Sequence, residues 1–166
     1  MGTTVVGAFF SRKKNRIYVG HVGDSRAYRV RGGNIEQLTR DHSLINDYLL
    51  AMPELTEEQR ADLPKNVITR ALGMQDQVLV DLLSDEPKMG DAYLLCSDGL
   101  SGMLTDDEIL AIIQETSDTV LTCERLVAEA NRNGGEDNIT ALVIRFDDGT
   151  TLMPEDEATM PLGRDT

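Results

Sequence analysis

The chain has 166 residues, 40% of them apolar and 27% charged, a length and balance that suit one globular domain and exclude a disordered chain. Its net charge of −13 is unevenly placed, +3 over residues 1–70 and −16 over residues 71–166. Such acidity opposes binding to nucleic acid or to an anionic membrane, and no run of apolar residues is long enough to span one. The surplus acid either serves solubility or gathers carboxylates around cations; composition alone leaves both open.

The N-terminus, Met1-Gly2-Thr3-Thr4-Val5-Val6, has no basic leader followed by an apolar run, so no signal peptide is expected. Gly2 is placed for N-myristoylation only if it is a true second residue, and the segment reads better as the interior of a strand. Cys96 lies inside an apolar run and Cys123 on a helix face, so both are expected to be reduced core residues of a cytoplasmic protein.

Along the chain, residues 3–10, 16–22, 27–31 and 34–38 are β-rich runs parted by turn signals, with Gly32-Gly33 as a hairpin loop. Helical spacing then appears in Leu44, Ile45, Tyr48 and Leu49, and Thr56-Glu57-Glu58-Gln59 fits a capping box. Residues 78–83 and 92–96 return to strand. Thr105-Asp106-Asp107-Glu108 is a second capping box; it opens a helix with an apolar stripe of Ile109, Leu110, Ile112 and Ile113. A further helix over residues 119–131 is expected to bury Val120, Cys123, Leu126, Val127 and Ala130, and to stop at Gly134-Gly135. Residues 139–146 form the last strand, and residues 147–166 read as a loose acidic tail. Strands in runs with helices inserted imply an α+β fold built on antiparallel sheets.

Three turns join an acid to an abrupt change of direction: Gly23-Asp24-Ser25-Arg26, Ser97-Asp98-Gly99-Leu100 and Gly135-Glu136-Asp137-Asn138. Asp98 ends one apolar strand and Asp137 precedes another, so antiparallel pairing of those strands sets both acids on one rim. Asp24 sits between two strands read as a hairpin and reaches a rim as well. Converging carboxylates repel unless a cation lies between them, and oxygen donors without His or Cys favour Mg²⁺ or Mn²⁺. Each turn taken singly is ordinary, because Asp and Gly are common turn residues.

The segments Gly20-His21-Val22-Gly23-Asp24-Ser25-Arg26-Ala27-Tyr28, Thr39-Arg40-Asp41-His42-Ser43, Ile68-Thr69-Arg70-Ala71-Leu72-Gly73, Leu95-Cys96-Ser97-Asp98-Gly99-Leu100 and Gly135-Glu136-Asp137-Asn138-Ile139-Thr140 resemble the signatures of bacterial type 2C metal-dependent serine/threonine protein phosphatases. They run in family order from residue 1 to residue 146 and resemble the C-terminal part of that domain. The resemblance implies an antiparallel β-sandwich flanked by helix pairs, with residues 1–146 as a partial domain. Asp98 and Asp137 would ligate two core Mg²⁺ or Mn²⁺ ions, and Asp24 would share a third with Asp98. Residues between Ser43 and Asn66 resemble the flap that shapes substrate access. Phosphorylated proteins, the products of a serine/threonine kinase, would be the substrates.

The family's N-terminal strands, with a phosphate-binding Arg and an Asp-Gly-x-Gly-Gly turn, have no counterpart in these residues. The expected chemistry is hydrolysis by a metal-activated water, without a protein nucleophile. Cys96 has no Cys-x₅-Arg pattern and is not expected to attack phosphorus. His21 is read as a satisfied structural residue, and a catalytic role for His42 is disfavoured. Arg26, Arg29 and Arg70 are read as ion-pairing before substrate-binding. Two rivals remain: a phosphatase-like binding module lacking the N-terminal ligands, and an acidic Ca²⁺-binding domain, against which no Asp-x-Asp-x-Asp-Gly loop is present.

Overall fold

A computed structural model of the chain describes residues 2–56, 59, 63, 64 and 67–147. The expected tail lies outside the described residues except for Asp147, as do residues 57, 58, 60–62, 65 and 66 of the flap. Seven strands are described: β1 (Val5–Ser11), β2 (Arg16–Val22), β3 (Arg26–Arg31), β4 (Asn34–Gln37), β5 (Asp81–Asp85), β6 (Ala92–Cys96) and β7 (Ala141–Arg145). The helices delimited among the described residues are α1 (Leu44–Ala51), α2 (Asp98–Ser101), α3 (Asp106–Glu115) and α4 (Thr119–Arg132).

Every strand pair is antiparallel. One sheet has the order β1-β2-β5 and the other β4-β3-β6-β7. Alternation explains how they stack: Ile17 and Val19 of β2 meet Ala27, Tyr93 and Leu95 from the second sheet in a core between the sheets. The opposite face of the second sheet presents Tyr28, Val30, Ala92, Leu94 and Cys96 to Ile109, Ile113, Leu126 and Ala130 of α3 and α4. Strand β6 therefore has apolar cover on both sides, and all five of its residues are buried. This is the α+β sandwich expected from the sequence; among the described residues a helix pair covers the second sheet.

Local signals hold where they are backed by hydrogen bonds. The Thr105 hydroxyl accepts from the Glu108 N–H while the Glu108 carboxylate accepts from the Thr105 N–H, closing the expected capping box of α3. Thr56 and Gln59 make the other reciprocal pair. The Asp118 carboxylate accepts from the Val120 and Leu121 N–H groups at the start of α4. Gly32-Gly33 links β3 to β4 as a two-residue hairpin.

Three expectations need correction. Strand β5 covers Asp81–Asp85, not residues 78–83, because its ladder with β2 begins at His21↔Asp81 and leaves Leu79 and Val80 unpaired and exposed. Helix α4 buries Thr122, Leu126 and Ala130, whereas Val120 in its first turn is exposed. Its face is set by a stripe at spacing four, with the Thr122 hydroxyl donating to the Asp118 carbonyl. Most consequentially, β2 and β3 do not pair. They belong to different sheets, so residues 23–25 carry the chain from one layer of the sandwich to the other. Gly23 allows that passage with φ of 107°, and a Cβ there would stand 2.3 Å from a Thr4 side-chain carbon.

Candidate metal centre

The antiparallel pairing of β6 with β7 places Cys96 opposite Ala141. The chain thus leaves β6 at the point where it enters β7, and the two acidic turns meet. Ser97 ties them: its hydroxyl donates to the Asn138 carbonyl at 2.9 Å and accepts from the Thr140 N–H at 3.0 Å. Gly99 is required by this approach, since a Cβ on it would stand 2.5 Å from the Asn138 carbonyl oxygen. One Asp98 oxygen accepts from the Gly99 N–H and one Asp137 oxygen from the Asn138 N–H, so each turn orients its own carboxylate.

Asp24, Asp98 and Asp137 all line one cleft of about 970 Å³, together with Glu136 and Asp41. The structure brings the three sequence-selected acids together, although Asp24 arrives by the inter-sheet passage and not by a hairpin. Burial pushes the Asp24 carboxyl above its usual pKa, and the Asp98 charge adds to the effect. No ion pair is formed by Asp24, Asp98, Glu136 or Asp137 among the described residues. The two arginines in the lining are engaged elsewhere: the Arg26 guanidinium grips Asp41 from Nε and Nη2 at 2.6–3.0 Å, Gln37 donates to the same carboxylate, and Arg40 lies 3.6 Å from Asp47. Unpaired carboxylate oxygens in one concavity, with no His or Cys in its lining, are a donor set for a hard divalent cation.

The arginines singled out in the sequence form ion pairs. Arg29 binds Asp85 and Glu36, and Arg70 binds Asp81 at 2.7 Å. Burial disfavours ionised Asp91, yet the Arg31 guanidinium and the Lys88 N–H outweigh it and hold that carboxyl below its usual pKa. Burial pushes the Cys96 thiol up to about 12, which leaves it inert, and both cysteines are free.

Sequence reasoning missed a second cluster behind the cleft. His21, His42 and Asp81 bring potential ligand atoms within 4.8 Å of one another. The hydrogen bonds argue against a cation there. His42 Nδ1 accepts the Gly23 N–H at 3.0 Å, so in the neutral ring the hydrogen sits on Nε2, which faces Asp81 at 3.2 Å with the Arg70 Nη1 also beside it at 3.0 Å. Ligation through Nε2 would move that hydrogen to Nδ1, against the Gly23 N–H, and Arg70 already supplies the positive charge on Asp81. The Asp-His pair in Arg40-Asp41-His42-Ser43 was the visible signal; its partner Asp81 is brought in only by the pairing of β5 with β2.

Comparison with known proteins accords with this geometry. The family described as Protein phosphatase 2C matches residues 1–47. A "Serine/threonine phosphatase stp" of Listeria welshimeri is 38% identical over 145 residues, covering 87% of this chain and 56% of the relative. A "Protein phosphatase PhpP" of Streptococcus pneumoniae is 39% identical over 150 residues, covering 89% and 59%. Among solved structures, the catalytic domain of the phosphatase PstP with two manganese ions superposes with a TM-score of 0.73 at 37% identity, covering 86% of this chain and 58% of that one. The chain thus spans a little over half the length of the relatives it matches. Within that span, the chain belongs to the protein phosphatase 2C family, in which the relatives it matches are bacterial proteins named as phosphatases.

Proposed function

We propose that this chain supplies the acidic rim of a metal-dependent phosphatase site that, in the complete domain, hydrolyses phosphoserine and phosphothreonine in proteins. The observation that carries the reading is the convergence of Asp24, Asp98 and Asp137 on one cleft, with none of the three in an ion pair among the described residues. In this reading Asp98 and Asp137 hold two core ions, Mg²⁺ or Mn²⁺, and Asp24 joins Asp98 around a third. The bound ions supply Lewis acidity towards water and towards phosphoryl oxygens.

The chain's own residues prepare that chemistry. The Ser97 bridge and the close approach at Gly99 hold the Asp98 and Asp137 turns in register, so the donor set is oriented before any ion arrives. Arg26 lines the same cleft, but its guanidinium is paired with Asp41, which offsets its charge and leaves Asp24, Asp98 and Asp137 for cations. The same field repels a phosphate group until cations are bound, which orders metal before substrate. The base of the flap, where Ser43 bridges Ile68, lines the cleft and sets one wall for the phosphoprotein. Substrates of a serine/threonine kinase and a cytoplasmic setting belong to the same proposal; two free cysteines are consistent with the latter.

The test is Mn²⁺-dependent phosphate release from a phosphothreonine peptide, by the complete domain and by this chain alone. The complete domain is expected to turn over, and the chain alone poorly, since few carboxylates here share the cost of dehydrating the ions. Saturable peptide binding without turnover in the complete domain would favour the binding-module reading instead.

A further inference from the structure

His42 stands between the flap and the acidic rim, and its contacts run to both. On one side, its Nδ1 accepts the Gly23 N–H at 3.0 Å and its backbone N–H donates to the Gly23 carbonyl at 2.9 Å. Both polar groups of the residue before Asp24 are thereby bound to a single residue. On the other side, the His42 carbonyl accepts from Thr69 N–H, and the neighbouring Ser43 bridges Ile68, so the two ends of the flap meet at His42. The ring is held from every direction. Its Nε2 faces Asp81 at 3.2 Å, Arg70 pins the same carboxylate, and the His21 ring stacks on it with centroids 4.7 Å apart and planes 12° from parallel. His21 is itself anchored by donating from Nε2 to the Arg40 carbonyl at 2.8 Å, and both rings are buried.

Gly23 needs such a clamp. It lies in the left-handed region in a passage between sheets, where no strand ladder fixes it. Asp24 follows directly, and the structure gives its side chain no ion pair among the described residues. Where the Asp24 carboxylate stands is therefore decided by the backbone that carries it.

We propose that His42 is a positioning residue: by accepting the Gly23 N–H it fixes the Asp24 turn in the acidic cleft and ties that turn to the base of the flap. The proposal rests on the metal reading above for its consequence, cation binding at Asp24, but its geometry is independent of that reading. It predicts that the acceptor at the Nδ1 position matters and that mere bulk does not.

The experiment compares His42→Ala, His42→Leu and His42→Asn in the ¹⁵N-labelled chain, reading Gly23 amide exchange and Mn²⁺ binding by electron paramagnetic resonance. Asn places its Oδ1 where Nδ1 was, so it accepts the same N–H; Leu fills space but accepts nothing. Gly23 exchange is expected to rise about fivefold or more in the Ala and Leu variants and to stay near the parent rate in Asn. Mn²⁺ affinity at the weakest site should follow the same order. Should the Ala variant fail to fold, Asp81→Ala, at a half-exposed position, removes the acceptor at Nε2 and leaves that atom facing only the Arg70 Nη1 donor at 3.0 Å, which favours hydrogen on Nδ1 and should raise Gly23 exchange in a folded chain. Leu behaving like the parent, or Asn no better than Leu, overturns the proposal. A parent chain that binds no Mn²⁺ defeats the metal reading instead, and with it the claimed consequence for Asp24.

Discussion

The two sheets of the sandwich differ in how much of their surface is covered. Strand β6 of the four-stranded sheet is buried along its whole length, with the other sheet on one face and α3 and α4 on the opposite face. In the three-stranded sheet, β1 has no buried residue, and Phe9 and Leu82 are 67% and 79% exposed. The turn after β6 carries Asp98 and the turn before its partner β7 carries Asp137, so the most enclosed strand delivers one candidate ligand and pairs with the strand that follows the other. Asp24 reaches the cleft from the opposite side, out of β2, and depends on a glycine turn and on His42. Rigidity of the acids is thus unequal: two are fixed by a doubly covered sheet and one by a clamp.

That contrast can be broken by substitution, beginning with its largest expected effect. Leu94→Ala in β6 should cost about 2–5 kcal/mol of stability, because the cavity opens in the packed core between this sheet and helices α3 and α4. Urea unfolding measures it, and a loss below about 1 kcal/mol would mean that β6 is not the enclosed strand described. A smaller effect is expected on the acid limb. Asp91 is held below its ordinary carboxyl value of 3.8, so the stability it contributes is full above that value and is lost as pH falls through its folded pKa. Asp91→Asn should therefore flatten the fall in melting temperature below about pH 4; an unchanged acid limb would remove the Arg31 pair from the account. The smallest effect belongs to the exposed face: Leu82→Ser should change stability by no more than about 0.5 kcal/mol. A loss of several times that amount, growing with protein concentration, would show that a second copy covers this face in solution.

Much of the acidic cleft was legible because it depends on local pattern. An apolar run ending at Ser97-Asp98 and another beginning after Asp137-Asn138 needed only antiparallel pairing to share a rim, and β6 and β7 pair in that way. Asp24 was placed at a rim through a hairpin that does not exist; β2 and β3 are both good strands, and nothing local says that they join different sheets. Residues 78–80 were read as strand from β-branched and apolar content, but pairing with β2 decides where β5 starts. His42 and Asp81 lie 39 positions apart, and only the folded arrangement of β5, β2 and the flap base makes them partners.

The central claim is that Asp98 and Asp137 form part of a divalent-cation site. It is tested most directly by melting the chain and its Asp98→Asn and Asp137→Asn variants in chelator and across a Mn²⁺ titration. In chelator, removing one of several clustered charges should leave the melting temperature equal or slightly higher. With Mn²⁺ the parent should rise in melting temperature as the free ion passes its dissociation constant, and each variant should lose most of that rise. Asn supports the same turns as Asp, so loss of the turn cannot mimic the result. A Mn²⁺-induced rise of undiminished size in both variants would contradict the account.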